Sequence, residues 1–172
     1  VDTFAKSLDD YPSTYNFHES RDYVDYTDDI YVGYRYFETI PGAAEKVVYP
    51  FGYGLSYTTF DVETVSAGVV NSNCTSEANK LYAKVRVTNT GKFSGKEVVQ
   101  VYIAKPQGKL GKPAKELAAF EKTRELQPGE SQLMILTWEI WHHMMTLERL
   151  KNLHMYLKPV HMIYTLERAS VT

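Results

Sequence analysis

The 172-residue sequence contains one cysteine, and none of its apolar runs approaches the roughly 20 residues that a membrane-spanning helix needs. Cys74 alone cannot form an internal disulfide, so the cysteine content indicates no compartment. The formal net charge of −2 at pH 7 gives no electrostatic basis for binding nucleic acid or an anionic membrane. We therefore expect a soluble globular chain without either partner.

Three other residue types are unevenly distributed along the chain. No aspartate follows Asp61 and no glycine follows Gly129, whereas seven of the 14 tyrosines lie between Tyr11 and Tyr36. A tyrosine ring offers an apolar face and a hydrogen-bonding hydroxyl, so such segments occur in sugar-binding loops and at half-buried domain boundaries. The composition leaves both interpretations open.

Residues 1–58 are acidic and aromatic and show little hydrophobic periodicity, which predicts loops and short elements. The acidic side chains considered for catalysis are Glu19, Asp22, Asp25, Asp28 and Asp29. We interpret them more simply as a solvated loop. A segment of this kind cannot bury a core of its own, and we expect it to be the tail of a domain whose remainder lies upstream.

Residues 59–139 consist of short stretches in which apolar and polar side chains alternate, separated by turn residues. The predicted strands are Thr59–Val65, Leu81–Thr88, Val98–Ile103, Glu116–Glu121 and Gln132–Trp138. Asn89-Thr90-Gly91 and Pro128-Gly129 are typical turn sequences. Short strands at this spacing predict an antiparallel β-sandwich rather than a βα barrel.

Residues 140–172 differ in character from the rest of the chain. Four leucines recur there at helical spacing and predict an amphipathic helix: Leu147, Leu150, Leu153 and Leu157. Four histidines invite a metal hypothesis: His142, His143, His154 and His161. No cysteine or aspartate lies nearby to complete a ligand set, so we expect no metal site.

The most specific stretch of the sequence is Tyr49-Pro-Phe-Gly-Tyr-Gly-Leu-Ser-Tyr-Thr-Thr-Phe60. It resembles the segment with which glycoside hydrolase family 3 enzymes pass from an α/β sandwich domain into a fibronectin type III-like, that is immunoglobulin-like, domain. Four further stretches resemble family signatures and occur in the family's order: Asp29–Phe37, Val87–Tyr102, Lys115–Lys122 and Leu126–Ser131. The resemblance covers residues 1–138.

The resemblance implies a domain-junction motif of eight residues: Pro50, Phe51, Gly52, Tyr53, Gly54, Leu55, Tyr57 and Phe60. The glycines permit a tight backbone, and the large apolar side chains anchor the segment. We assign residues 1–58 to the tail of an α/β sandwich domain and the junction. Residues 59–139 are assigned to a partial fibronectin type III-like β-sandwich, and residues 140–172 to an aberrant tail.

The resemblance also implies a longer parent enzyme, a β-glucosidase-like retaining hydrolase that cleaves O-glycosidic bonds with two carboxyl groups. No position in this sequence matches the motif of either carboxyl group, so we transfer no catalytic residue and expect the chain alone to be inactive. The expected partners are the remaining domains of the parent, and glycoside or oligosaccharide substrate is expected to bind only through those domains. No cofactor is expected, and the expected location is that of a bacterial cytoplasmic or secreted parent.

Two other functions compete with this accessory role. The chain could be an independent carbohydrate-binding module, with stacking platforms among Tyr31, Tyr34, Tyr36, Tyr53 and Tyr57. It could also be an adhesive fibronectin-like module, against which the family-specific junction argues. An accessory role that braces the α/β sandwich domain through the junction predicts that these tyrosine rings are mostly buried. Sugar binding predicts an exposed, coplanar pair of rings.

After Trp138 the sequence departs from the family, whose members continue into a polar turn and two further strands. We hypothesise a reading-frame shift near Glu139–Trp141, because regrouped codons for Trp141–Thr146 encode Met-Ala-Ser-Tyr-Asp-Asp, a typical continuation. Loss of two strands would leave strand edges unpaired. We therefore expect the chain to be marginally stable or insoluble when it is expressed alone.

Overall fold

The computed structural model describes residues 2–16, 20–70, 80–104, 111–139, 154–159 and 168–170, and for the last two ranges it describes the backbone. The strands are β1 (Phe4–Ala5), β2 (Val47–Tyr49), β3 (Phe60–Val69), β4 (Lys80–Asn89), β5 (Val98–Ala104), β6 (Glu116–Lys122), β7 (Ser131–Glu139), β8 (His154–Pro159) and β9 (Arg168–Ser170). The helices are α1 (Tyr34–Phe37) and the 3-10 helices Leu8–Asp10, Pro12–Tyr15 and Ala43–Lys46.

The chain divides into two compact units. The first consists of Val1–Tyr53 together with Gln107–Glu116, and the second of Gly54–Pro106 together with Leu117–Thr172. The first unit is therefore built from two stretches that are far apart in the sequence.

The first unit contains only short elements in its described part, as its weak periodicity predicts. Strands β1 and β2 pair antiparallel, and Phe4 lies opposite Tyr49. The buried centre is Phe37, whose ring meets the edge of the Tyr11 ring at a centroid distance of 5.5 Å. The Tyr11 hydroxyl donates to the carbonyl of Thr3 at 3.0 Å, which ties the first residues of the chain to this small core.

The second unit is an antiparallel β-sandwich. One sheet has the strand order β3-β4-β7, and the other has the order β6-β5-β8-β9. Strand β4 pairs with β3 and β7, with Val87 opposite Val62 and Gln132 respectively. The sequence prediction of a mainly β, antiparallel sandwich is confirmed.

The core of the β-sandwich follows the period of two that a strand imposes on its side chains. Alternate residues of β4 and β7 point inward and meet apolar residues of β5. The buried cluster comprises Phe60, Leu81, Ala83, Val85, Val87, Val99, Val101, Ile103, Leu126, Met134, Leu136 and Trp138. Strand β5 is buried on its other face too, where the Tyr102 hydroxyl donates to Gln100 Oε1 at 2.9 Å.

The structure corrects the predictions made for residues 140–172. Leu157 lies in strand β8 and not in an amphipathic helix; Leu147, Leu150 and Leu153 lie outside the described residues. Strand β8 pairs antiparallel with β5, with Leu157 opposite Val101, and also with β9. The expectation that two strands are missing is therefore wrong. Main-chain groups along β5 require a neighbouring strand, and this requirement overrides the local leucine spacing.

With β5 paired on both sides, the reason given for an insoluble chain no longer applies. Within the residues described, no helix is both long enough and apolar enough to cross a membrane.

Candidate functional site

The first half of the aromatic–glycine segment, Pro50–Tyr53, belongs to the first unit and forms a tight turn. The amide of Tyr53 donates to the carbonyl of Pro50 at 3.0 Å, and Gly52 has a φ of 80°. This left-handed conformation is easily reached only without a Cβ atom. The Phe51 ring packs against Tyr34 of α1, with centroids 4.8 Å apart and planes tilted by 39°. The turn thus anchors one aromatic ring on α1.

A second aromatic contact extends from the same turn. The Tyr53 ring lies 4.8 Å from the Tyr49 ring with a 36° tilt, and Tyr49 meets Phe4 edge-on at 6.3 Å. All three rings remain substantially exposed in the chain. The series follows the cross-strand pairing of β1 with β2, which places Phe4 beside Tyr49.

The second half of the segment, Gly54–Phe60, belongs to the second unit; it is exposed at residues 55–57 and alternates between exposed and buried from Tyr57 to Phe60. Leu55 and Tyr57 are 85% and 95% exposed, whereas Thr58 and Phe60 are buried. Phe60 begins β3 and joins the core of the β-sandwich. Burial of the inward-facing residues fixes the segment, while two large apolar side chains point away from the unit that holds them.

Asn89, at the end of β4, holds the buried part of this segment. Its side-chain oxygen accepts hydrogen bonds from the Thr58 hydroxyl at 2.7 Å and from the Gly91 amide at 3.0 Å. Its side-chain nitrogen donates to the carbonyls of Phe93 and Leu126, both at 2.8 Å. These four bonds use the full capacity of a carboxamide, so a completely buried polar side chain is fully satisfied.

Two glycines permit this close approach. A Cβ atom on Gly91 would collide with the Thr58 hydroxyl and would lie 2.7 Å from the amide nitrogen of Thr59. A Cβ atom on Gly95 would lie 2.7 Å from the methyl carbon of Thr58 and 3.2 Å from the Phe60 ring. The turn after β4 therefore requires glycine at both positions, because the chain entering β3 occupies the space of a side chain.

A carboxylate orders the next turn of the same unit. The Gln127 amide donates to Glu130 Oε2 at 2.8 Å, and Arg124 Nη1 donates to Glu130 Oε1 at 2.6 Å. The hydrogen bond from Gln127, together with the bond and charge of Arg124, holds the pKa of Glu130 below its ordinary value. The amide of Asn89 in turn donates to the carbonyl of Glu130 at 2.9 Å, which links the two turns.

Comparison with known proteins identifies this architecture. The fibronectin type III-like domain family matches residues 97–139. β-Glucosidase A of Butyrivibrio fibrisolvens is 63% identical over 139 residues, a match that covers 76% of this chain and 17% of the relative. The chain belongs to glycoside hydrolase family 3, as a segment carrying the fibronectin type III-like domain.

Solved structures of family 3 β-glucosidases agree with this assignment. The enzyme from Paenibacillus barengoltzii matches 99% of this family 3 segment with a TM-score of 0.83 and 41% identity. The GH3 β-glucosidase of Bifidobacterium adolescentis matches the same share with a TM-score of 0.76 and 27% identity. The segment spans 19% and 25% of those chains and 17% of β-glucosidase A, so it corresponds to a small part of each.

The tyrosines proposed as sugar platforms do not form flat, exposed pairs in this family 3 segment. Tyr31, Tyr34 and Tyr36 are half-buried, and the Tyr36 ring meets Phe37 edge-on at 5.1 Å. Tyr53 is exposed but tilted against Tyr49, and Tyr57 is exposed. The arrangement therefore matches neither prediction in full: three of the five rings are half-buried, two are exposed, and the Tyr53 ring is tilted against Tyr49 and not coplanar with it.

The acidic candidates are dispersed along a surface loop. Asp22, Asp25 and Asp29 are exposed, Asp28 is half-buried, and Glu19 lies outside the described residues. Among the residues that the structure covers, no three His, Cys, Asp or Glu side chains are arranged to hold a metal ion. Three of the four candidate histidines, His142, His143 and His161, lie outside those residues, and only the backbone of His154 is described.

Sequence reasoning identified the aromatic–glycine segment but missed the residues that hold it. Asn89-Thr90-Gly91 was recognised as a turn, yet its buried contact with Thr58 was not predicted. An asparagine at the end of an apolar strand followed by two closely spaced glycines is the signal that could have indicated a close approach of another chain segment.

Proposed function

We propose that this chain is a non-catalytic accessory part of a longer family 3 hydrolase and braces the enzyme through its aromatic–glycine segment. The supporting observation is the outward projection of Leu55 and Tyr57 from a backbone that Thr58 and Phe60 hold in place. Large apolar side chains left this exposed beside a buried backbone anchor favour a surface that is covered in the complete protein.

The domain assignment belongs to this proposal. Residues 1–58 would be the tail of an α/β sandwich domain with the junction, residues 59–139 the fibronectin type III-like β-sandwich, and residues 140–172 a tail in a shifted reading frame. The remaining domains of the parent would cover the exposed apolar residues. Glycosides and oligosaccharides would be bound through those domains and not by this chain alone.

The parent would hydrolyse β-glucosides, because the relatives named above are β-glucosidases. The two carboxyl groups of a retaining mechanism would come from the remainder of the parent. We expect the isolated chain to show no turnover. An independent sugar-binding role is less well supported, because Tyr49 and Tyr53 are tilted by 36° and offer no continuous flat platform.

Two experiments test the proposal. First, the purified chain is incubated with a panel of chromogenic aryl glycosides, and turnover is expected to equal the buffer blank. Second, residues 1–139 replace the matching segment of β-glucosidase A from B. fibrisolvens, and the chimera is assayed for β-glucosidase activity and thermal stability. The control is a truncated β-glucosidase A that lacks only that segment.

An active chimera and an inactive truncation are the expected results. Activity of the isolated chain that is abolished by substituting Asp22, Asp25, Asp28 or Asp29 would overturn the non-catalytic assignment. An active, stable truncation would overturn the bracing role.

A further inference from the structure

Residues 111–116 occupy an unexpected place in the molecule, and we call them the strap. The strap follows β5 in the sequence and ends at Glu116, the first residue of β6, yet it is part of the first unit, together with Val1–Tyr53. Within the strap, the Lys115 side chain is only 18% exposed and is ion-paired.

The strap makes polar contacts with α1 and the residues that follow it. Lys115 Nζ lies 2.6 Å from Glu38 Oε2, an oxygen that is itself buried. Arg35 Nη2 lies 3.6 Å from Glu116 Oε1. The main-chain amide of Ala114 donates to the Thr39 hydroxyl at 2.8 Å.

The order of the charges makes these contacts specific. Arg35 and Glu38 are three residues apart and share one face of a helical turn, so they present a positive and a negative group side by side. The strap presents Lys115 and Glu116 in the matching order, and the contact from Ala114 fixes the register. A shift of one residue along the strap would bring Glu116 against Glu38.

The backbone of the strap fits the same surface. Gly111 has a φ of 66°, and a Cβ atom there would lie 3.2 Å from the Tyr31 hydroxyl oxygen. Pro113, which is buried, restricts the strap further. Conformational restriction lowers the entropy that docking removes, so a short segment can bind with few contacts.

We propose that the face formed by Arg35, Glu38 and Thr39 is a docking site whose ligand is the strap, recognised through the charge order of Lys115 and Glu116. The bracing role proposed above depends on the aromatic–glycine segment, and the strap would be a second attachment. The strap proposal rests on that role only for what the strap does in the parent enzyme. The contact itself belongs to the 172-residue chain and can be measured there.

The test compares charge reversals in the complete chain. Glu38→Lys and Lys115→Glu each place like charges together, whereas the double variant restores an opposite pair. Hydrogen exchange is followed by mass spectrometry in peptides that contain Ala114 and residues 34–40, whose amides report on docking. The matched control is Glu63→Lys, which disrupts the exposed Glu63–Arg86 pair of the β-sandwich.

We expect each single reversal to accelerate exchange of these amides about tenfold, because a half-buried charge loses its partner. The double reversal should restore most of the protection, and the control should leave both peptides at the wild-type rate. If a reversal unfolds the whole chain, shown by rapid exchange in β4 and β5, the neutral pair Glu38→Gln and Lys115→Gln replaces it.

Wild-type exchange in both single reversals, or in both neutral variants, would overturn the proposal, as would a double reversal that restores nothing. This outcome is distinguishable from failure of the bracing function. If the chimera is active but the charge reversals leave the exchange rates unchanged, only the strap proposal is refuted. If the charge reversals change exchange as expected but the truncated enzyme is active, only the bracing function is refuted.

Discussion

The hydroxyl of Thr58 donates a 2.7 Å hydrogen bond to the side-chain oxygen of Asn89, and both side chains are buried. This bond joins residues that are 31 positions apart. It fixes the backbone immediately before β3 and so determines the direction in which Leu55 and Tyr57 leave the β-sandwich. The exposed part of the aromatic–glycine segment is therefore positioned by a residue outside the segment.

Replacing Asn89 with alanine should destabilise the chain by about 3 to 5 kcal/mol. The Thr58 hydroxyl and the carbonyls of Phe93 and Leu126 would lose their buried partner. Urea denaturation followed by tryptophan fluorescence measures the change. Thr90→Ala is the control, because its hydroxyl bonds an exposed threonine, and it should cost at most about 0.5 kcal/mol. Equal effects of the two substitutions would contradict the central role of Asn89.

Gly91→Ala should destabilise the β-sandwich by about 2 kcal/mol or more, because the added methyl group collides with Thr58. Adding Thr58→Ala removes one of the colliding atoms but leaves the amide nitrogen of Thr59 at 2.7 Å. The double variant should therefore be less destabilised than the sum of the single variants, by about 1 kcal/mol. A double-mutant cycle in urea measures this coupling, and strict additivity would argue against the contact.

The exposed apolar pair should behave differently in the isolated chain and in the complete enzyme. Leu55→Ser combined with Tyr57→Ser should change the stability of the isolated chain by about 0.5 kcal/mol or less, because both side chains are exposed. In the chimera with β-glucosidase A, the same change should cost about 2 to 4 kcal/mol through lost apolar burial. Thermal unfolding of both proteins measures the difference. An unchanged chimera would show that the pair is not covered.

Glu130 should make the stability of the chain depend on pH. Its pKa is lowered from the ordinary value of 4.5, first by the Gln127 amide and then by Arg124. Because the pKa is lower in the folded state, the ionised carboxylate stabilises the fold above the unfolded pKa. That contribution disappears as the pH falls through the folded value.

Glu130→Gln should therefore be less stable than the wild type at neutral pH, and the difference should disappear in acid. Urea midpoints for both proteins between about pH 7 and about pH 2 measure it. A difference that stays constant over this range would mean that the carboxylate charge plays no part. Glu125→Gln serves as the control, because its carboxylate only accepts an exposed bond from Ser94.

The reading-frame hypothesis predicts a single insertion or deletion in the codons for Glu139–Trp141. Sequencing the gene beside those of relatives tests it directly, because a restored frame should continue the family sequence after Trp138. Codons that align with relatives in the present frame would refute the hypothesis.

The alternation of apolar residues predicted the strands of residues 59–139 because burial on one face imposes a period of two. Val85 and Val87 point inward, as their spacing requires. The spacing of apolar residues predicted the wrong element where hydrogen-bonded pairing between strands decided the structure. The leucine repeat indicated a helix, yet Leu157 lies in β8 opposite Val101, because β5 needs main-chain partners.

The sequence by itself determined the class of the fold and the position of the aromatic–glycine segment, since hydrophobic period and turn chemistry are local properties. Only the tertiary structure decided that Asn89 holds Thr58 and that Lys115 meets Glu38. Each of these contacts joins residues that are distant in the sequence, and local patterns carry no information about which distant groups share a buried space. The structural roles of Asn89 and Lys115 are therefore visible only in the folded chain, where their distant partners lie beside them.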